Sequence, residues 1–311
     1  MIERPRPDEP ALAGATAKAV RAVAGRPGEP KETVGNRAKR IVRNILVWIP
    51  LILLVAWTVA PFLVTLSVSF KNRAQVFAQP GIIPSNPTFD AYAEVLASES
   101  FTTSFVNSLI VGVGTTALTI LIGVPAAYAF ARFRFRGRHL LLLFTLLPRL
   151  VPSIGLMVPI YRLAVAAGLL DKRITLIIVY TAMLLPLGVW LMVGFFQQIP
   201  REIEEAASVD GASLWGRLRH IVAPLAAPAM ITIGVLAFRE AWNEFTLVLV
   251  LTNTPGKRTL PFELYLMQGI EGIANFPGEA AFTILTILPF ILVYTRIEKY
   301  VVAGLVTGSG K

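Results

Sequence analysis

Six long apolar segments dominate this sequence and restrict it to a helical fold inside a membrane. They cover 45–70, 103–130, 140–166, 174–196, 225–251 and 281–302. Each can cross a hydrocarbon core about 30 Å thick, which takes about 20 residues of helix, whereas a closed barrel would need shorter alternating segments. Because 55% of the 311 residues are hydrophobic and only 15% are charged, the sequence predicts an all-α integral membrane protein with six transmembrane helices.

The distribution of cations predicts the topology. Most of the 29 Lys and Arg residues fall on the side that also holds both termini, so we expect the two termini in the cytoplasm. The predicted parts are a disordered cytoplasmic tail over 1–43, a transmembrane domain over 44–304 and a short cytoplasmic tail over 305–311. This topology accounts for most of the net charge of +10, and attraction to anionic membrane lipid is a secondary consequence of that charge. Nucleic-acid binding is not needed to explain it.

A polar loop of about 198–220 separates the fourth and fifth apolar segments. Acidic residues at its start favour the first turn of a helix, Gly211 can end that helix in the left-handed conformation, and Ser213 can cap a second helix. The small side chains of Ala206 and Ala207 would allow another surface to approach the backbone closely. The loop is therefore predicted to form two short helices that insert into a groove of a partner.

Polar residues near the middle of the fifth segment are candidates for a transport pathway. Arg239, Glu240, Trp242, Asn243 and Glu244 lie there, and an unpaired charge inside a membrane costs about 2.5–3.5 kcal/mol. They should face protein or water, and the aromatic ring and amide at 242 and 243 could contact a sugar or polyol. Two interpretations stay open at this point, a pathway and an Arg–Glu pair that only ties helices together.

Arg149 is a second intramembrane candidate. It lies between Pro148 and Pro152, and two prolines can break a helix. Broken helices are tolerated in membranes where they line a cavity or are buried in protein. Arg149 is therefore predicted either to line the pathway or to extend its side chain to the membrane interface.

Motifs for catalysis or metal binding were sought and not found. The sequence has no Gly-rich phosphate loop ending in Gly-Lys-Ser or Gly-Lys-Thr, no cysteine, and two separate histidines, His139 and His220. We therefore expect no catalytic residue, no metal ligand and no cofactor in this chain, and any ATP hydrolysis to reside in a different subunit.

The loop also carries a family resemblance. Glu205-Ala206-Ala207, followed by Asp210-Gly211 and then by Ile221 and Pro224, resembles the cytoplasmic signature of permease subunits of binding-protein-dependent ABC importers. Ala223 stands where that pattern has leucine. Other stretches resemble the carbohydrate-uptake branch, and in particular the smaller permease of maltose importers: Asn107-Ser108-Leu109, Ala126-Ala127-Tyr128-Ala129-Phe130-Ala131-Arg132-Phe133, Gly168-Leu169, Asp210-Gly211-Ala212 and Trp242-Asn243-Glu244-Phe245.

This resemblance implies a type I importer permease with a MetI-like core in a bacterial or archaeal cytoplasmic membrane. It implies a second homologous permease, two ATP-binding subunits that hold ATP and Mg, an extracytoplasmic solute-binding protein and a carbohydrate substrate. Gly308 and Lys311 would belong to a C-terminal tail that contacts the ATPase, and the outer loop over 252–280 would contact the binding protein. The coupling helix that docks on the ATPase would use Glu205, Ala206, Ala207, Asp210 and Gly211.

Two alternatives remain beside this interpretation. The first is an ATP-independent carrier that uses Glu240, Glu244 or Glu279 for proton coupling. The second keeps the ABC permease but changes its cargo to an anionic or phosphorylated sugar or polyol, for which Arg149 would supply the positive charge.

Overall fold

Every regular element in the computed structural model of this chain is helical over the residues it describes, which are 34–78, 81–269 and 275–309. This confirms the all-α prediction. The chain divides between Pro61 and Phe62 into two units. The helices are α1 (Val34–Ser69), α2 (Arg73–Ala78), α3 (Asp90–Ala97), α4 (Glu99–Arg132), α5 (Arg138–Leu146), α6 (Ser153–Ala166), α7 (Arg173–Gln198), α8 (Arg201–Val209), α9 (Leu214–Arg217), α10 (Ala223–Leu225), α11 (Ala227–Asn243), α12 (Val248–Leu251), α13 (Leu260–Gly269) and α14 (Phe276–Ser309).

Four of these helices, α1, α4, α7 and α14, contain stretches long and apolar enough to cross a membrane unaided. Two further apolar segments are bent pairs of helices. Arg138–Leu150 and Ser153–Ala166 meet at 98°, and Leu214–Leu225 and Ala227–Asn243 meet at 78°. If each bent pair is one span, the described part of the chain has up to six spans, the number that the sequence predicts, although the second pair begins within the predicted loop and not at 225.

The third apolar segment is broken where its prolines lie, as the sequence predicts. After α5 the chain makes a 3-10 turn, Leu147–Leu150, and Val151 is extended with φ −84° and ψ 122°. The ring of Pro152 disfavours the helical region for Val151, and Pro152, which has no amide hydrogen to donate, lies immediately before α6. Arg149 is consequently on a turn rather than on a continuous helix.

The fifth apolar segment differs from the prediction of one helix over 225–251. Helix α11 ends at Asn243, Glu244 is extended with φ −70° and ψ 122°, and the chain becomes helical again at α12. The polar residues expected near the middle of a span therefore lie at the end of a helix. That part of the prediction was wrong, because a helix end gives their polar groups backbone partners that the middle of a helix cannot offer.

Helices α4, α7 and α11 form the packed centre of 62–311. Glycines on these helices leave room for large side chains of the neighbouring helix. A Cβ atom added to Gly112 of α4 would lie 2.8 Å from the ring of Phe238 on α11. The largest buried cluster lies towards one end of these helices and includes Tyr128, Met192, Phe196 and Val222.

The helices extend into both predicted tails. Helix α1 begins at Val34, ten residues or so before the predicted start of the transmembrane domain, and α14 continues to Ser309. Residues 1–33 lie outside the described residues, so the tail boundaries stay predictions.

Candidate functional site

The loop that follows α7 forms two short helices joined at a glycine, as the sequence predicts. Pro200 precedes α8 with φ −56° and ψ 135°, and acidic side chains occupy the first turn. Gly211 ends the turn with φ +83°, a conformation that residues with a Cβ atom rarely adopt. The amide of Ala212 donates to the carbonyl oxygen of Ala207 over 2.9 Å, which closes the helix end.

The second helix of the loop, α9, begins at the predicted cap. The Oγ atom of Ser213 accepts a hydrogen bond from the amide of Gly216 over 3.1 Å. A single π-helical turn, Leu218–Val222, follows, and the side chains of Leu218 and Val222 are buried in the core. The second half of the loop is thus anchored by apolar packing.

The residues predicted to dock on a partner lie on the exposed side of this loop. Glu205, Ala206, Asp210 and Gly211 are exposed, and Ala207 is half-buried. Exposed apolar side chains adjoin them, of which Val209 at 88% is the most open. We call this the docking face, and it consists of the four exposed residues above with Ile203, Ala207, Val209, Leu214 and Trp215.

An ionic cluster lies on the opposite side of α8, and the sequence did not reveal it. Glu204 is buried, and its carboxylate accepts hydrogen bonds from Tyr128 Oη over 2.6 Å and from Arg132 Nε over 2.5 Å. Tyr128 and Arg132 are four residues apart on α4, so they share one face of the helix. That spacing at the end of a predicted span, opposite a second acidic residue of the loop, is the signal that could have indicated the cluster.

The structure brings Arg149 and Glu240 to the same place, although 91 residues separate them. Both line a cavity of about 30 Å³ between the 3-10 turn after α5 and helices α4, α7 and α11. Thr119 lines it as well, and the rest of its wall is apolar. Arg149 itself is exposed at the side of this cavity.

Arg239 and Glu240 form an ion pair, but not one between helices. The Arg239 guanidinium donates to the carboxylate of its neighbour Glu240, and both side chains are about half exposed. Asn243 is also exposed, and its Nδ2 donates to the carbonyl oxygen of Arg239 over 2.8 Å. Because these partners lie on one helix, the interpretation in which the pair ties two helices together was wrong.

Trp242 and Glu244 are packed into the protein. The Trp242 ring is 4% exposed and stacks on Phe238 with ring centroids 5.2 Å apart. The Glu244 carboxylate accepts from Tyr180 Oη over 2.8 Å and from the amide of Leu247 over 2.9 Å. Glu244 therefore caps the start of α12, and its placement, like that of Trp242, favours a structural role; contact with a substrate stays a prediction for both.

The loops at the other end of α7 are joined by Asp171, which the sequence did not single out. Its carboxylate accepts from the amides of Asn253 over 3.0 Å and Thr254 over 3.2 Å, and it pairs with Lys257 at 3.4 Å. Burial alone would raise the pKa of Asp171. The hydrogen bonds from Thr254 and Asn253 and the charge of Lys257 outweigh that effect and lower the pKa to about 2.

Asn107 and Ser108, two of the residues that carry the family resemblance, hold the same outer segment. The Nδ2 atom of Asn107 donates to the carbonyl oxygens of Gly256 over 3.1 Å and Arg258 over 2.8 Å. The Oγ atom of Ser108 accepts from the amide of Leu260 over 2.8 Å. These bonds attach the start of the outer loop to α4.

We expect Asp171→Asn to lower the melting temperature of the protein at neutral pH, because the amide cannot accept from all of the same donors or pair with Lys257. The folded pKa of about 2 lies below the ordinary value of 3.8. The carboxylate therefore contributes its full stability above pH 4 and loses it as the pH falls towards 2. Thermal unfolding of both proteins should give a constant difference between pH 5 and 8 and a smaller one below about pH 4.

Two predicted residues, Gly308 and Lys311, belong to the C-terminal tail. Gly308 lies near the end of α14, and Lys311 lies outside the described residues. Within 34–78, 81–269 and 275–309, no group of three or more His, Cys, Asp and Glu side chains is arranged to hold a metal ion.

Comparison with known proteins identifies the family. Residues 119–306 match the binding-protein-dependent transport system inner membrane component. The chain belongs to this family, which confirms the resemblance carried by 205–224. The family is one of transport rather than catalysis, and with the apolar helices described above it defines a multi-pass inner membrane protein.

Individual relatives cover nearly the whole chain. A trehalose transport system permease protein of Mycobacterium tuberculosis is 35% identical over 260 residues, which are 83% of this chain and 94% of that protein. A trehalose/maltose transport system permease protein of Thermococcus litoralis is 31% identical over 88% of this chain and 99% of its own length. A sulfoquinovosyl glycerol transport system permease protein of Agrobacterium fabrum is 36% identical over 81% of this chain and 88% of its own length.

The fold is also similar to a solved structure. The crystal structure of a bacterial ABC transporter involved in the import of the acidic polysaccharide alginate contains a chain that superposes with a TM-score of 0.73 and 27% identity. The match covers 88% of this chain and 99% of that one.

Proposed function

We propose that this chain is the membrane-spanning permease subunit of an ATP-driven importer that carries a carbohydrate into the cytoplasm. The observation that carries the proposal is the exposed docking face of α8 and α9 in a chain of the binding-protein-dependent transport family. Exposed apolar side chains in an otherwise polar loop are typical of a surface that binds another protein.

The partner at the docking face is an ATP-binding subunit. ATP and Mg are bound there and not in this chain, whose sequence has no phosphate-binding loop. A short rigid helix seated in a cleft of the ATPase can pass the closure of that cleft to the membrane spans as a rigid-body movement. Two ATP-binding subunits and a second, homologous permease would complete the complex.

A carbohydrate is the cargo that the relatives favour. The trehalose and trehalose/maltose permeases named above are similar to this chain over more than four fifths of its length. Glu240 and Asn243, at the half-exposed end of α11, are the candidate pathway groups on this subunit, with Arg149 across the small cavity. Hydroxyl groups of a sugar could bond to such carboxylate and amide groups.

Orientation follows from the same proposal. If the docking face lies in the cytoplasm, both termini lie there too, and the Asp171 loops and 252–280 lie outside, where a solute-binding protein would deliver the cargo. The excess of Lys and Arg on the side of the docking face supports this orientation.

The alternatives are less favoured. An ATP-independent carrier would leave the docking face without a role. An anionic cargo would rest on Arg149, whereas the trehalose and trehalose/maltose permeases similar to this chain favour an uncharged carbohydrate.

Purification of the tagged chain from its native membrane tests the proposal. We expect an ATP-binding subunit and a second permease to co-purify, and the complex to hydrolyse ATP faster when a loaded solute-binding protein is added. In proteoliposomes, ATP inside should then drive uptake of a labelled oligosaccharide. Uptake by this chain alone, driven by a proton gradient in vesicles without ATP, would contradict the proposal and support the carrier.

A further inference from the structure

The buried cluster around Glu204 joins three segments that meet beneath the docking loop. The Glu204 carboxylate bonds to Tyr128 and Arg132 at the end of α4. The second arm of the Arg132 guanidinium, Nη2, donates to the carbonyl oxygen of Ile199 over 3.0 Å, in the turn between α7 and α8. One carboxylate and one guanidinium thus connect the ends of α4 and α7 to α8.

The cluster is shielded from water and held by packing. The side chains of Glu204 and Arg132 are only 8% and 9% exposed. The Tyr128 ring is buried and meets the ring of Phe196 on α7 edge to face, with centroids 6.1 Å apart. Because a charge in such surroundings is costly when unpaired, these groups resist separation more strongly than a surface ion pair would.

Glu204 is the one buried residue of α8, all nine residues of which the structure describes. The second half of the loop is anchored by Leu218 and Val222, whereas no apolar side chain of α8 is fully buried. Among the hydrogen bonds of the described residues, the Glu204 carboxylate is the side-chain group of α8 that bonds to α4. Glu204 is therefore a direct link from α8 to α4, beside the apolar anchor that Leu218 and Val222 give to the second half of the loop.

We propose that Glu204 is the positioning residue that couples α8 to the membrane span α4, through Tyr128 and Arg132. The inference rests on the proposed function, since it needs an ATPase at the docking face. The inference assigns two roles to residues of α8. Glu205, Ala206 and Val209 face the ATPase, and Glu204 transmits the movement of α8 to α4.

The variant Glu204→Gln tests the inference, because it keeps the size of the side chain and removes its charge. In the purified complex we expect normal amounts of the ATPase subunit and continued ATP hydrolysis, with sugar uptake per ATP at least 10-fold lower. Glu202→Gln is the matched control, since it removes an exposed acidic group from the same turn. The control should keep wild-type uptake per ATP.

A double variant separates transmission from stability. In Glu204→Gln the Arg132 charge is left buried without its carboxylate, and adding Arg132→Met removes that charge. We expect the double variant to recover the melting temperature of the complex but not its uptake per ATP. If coupling returns together with stability, the cluster is only structural and the inference is overturned.

Two further outcomes are informative. Wild-type uptake per ATP in Glu204→Gln would overturn the inference directly. If that single variant does not assemble, the double variant decides, because it leaves no unpaired charge in the cluster. Reduced coupling in the double variant supports the inference, and full coupling overturns it. The proposed function fails differently, because the wild-type chain would then bind no ATPase at all.

Discussion

Gly211→Val is expected to reduce binding of the ATP-binding subunit by about 10-fold or more and to abolish ATP-driven uptake. Gly211 has φ +83°, and a β-branched residue there costs about 1–2 kcal/mol in backbone strain. No atom lies within 4 Å of an added Cβ, so the new side chain would project from the docking face towards the partner. Both effects act at the surface where the ATPase is proposed to bind. Co-purification and uptake assays measure them.

Gly168→Val is the matched control for this substitution. Gly168 has φ +64° and also has open space where a Cβ would lie. It lies between α6 and α7, whereas Gly211 lies between α8 and α9. The backbone strain is therefore similar at the two positions, while only Gly211 belongs to the docking face. Equal loss of ATPase binding in the two variants, or full uptake in Gly211→Val, would contradict the docking role.

Glu244→Ala is expected to lower the free energy of unfolding by about 2–4 kcal/mol, because it leaves buried donors without an acceptor. The donors are the Tyr180 hydroxyl and the amides of Leu247 and Val248. The start of α12 would lose its cap, and the packing of α12 against α7 would weaken. Thermal unfolding of the purified protein measures the loss.

Asn243→Ala is the control, because Asn243 is exposed and its side chain bonds only to the Arg239 carbonyl oxygen among the contacts described. It should leave the melting temperature within a few degrees of the wild type. If instead Glu244→Ala keeps the wild-type melting temperature and loses only sugar uptake, Glu244 would be a pathway residue rather than a cap. Comparing the two variants therefore separates a structural role from a transport role in one stretch of sequence.

The sequence predicted the membrane fold well because hydrophobic length and helix signals are local. The proline break at Arg149, the Ser213 cap and the turn at Gly211 each depend on residues within a few positions of one another. The same local reasoning failed at α11, where an apolar run of sufficient length was taken as one helix. Glu244 ends that helix by bonding to amides that follow it and to Tyr180 on α7, and the second of these partners is distant in sequence.

The candidate site was only half predictable for a similar reason. The exposed docking residues follow from a motif, so the sequence could indicate them. Glu204 bonds to Arg132 of α4, which lies 72 residues earlier in the chain. A single sequence does not show that two such distant residues are paired. The shared cavity of Arg149 and Glu240 likewise required the bent third span to be placed beside α11.

Site-specific cross-linking tests the central claim, that α8 docks on an ATP-binding subunit, most directly. The chain contains no cysteine, so Val209→Cys introduces one thiol at a position that is 88% exposed. Ile83→Cys, at a residue that is 87% exposed and lies between α2 and α3, is the control. With a bifunctional reagent in native membranes, the account predicts a cross-link from position 209 to an ATP-binding subunit and none from position 83. No cross-link to such a subunit from position 209 in the assembled complex would contradict the account.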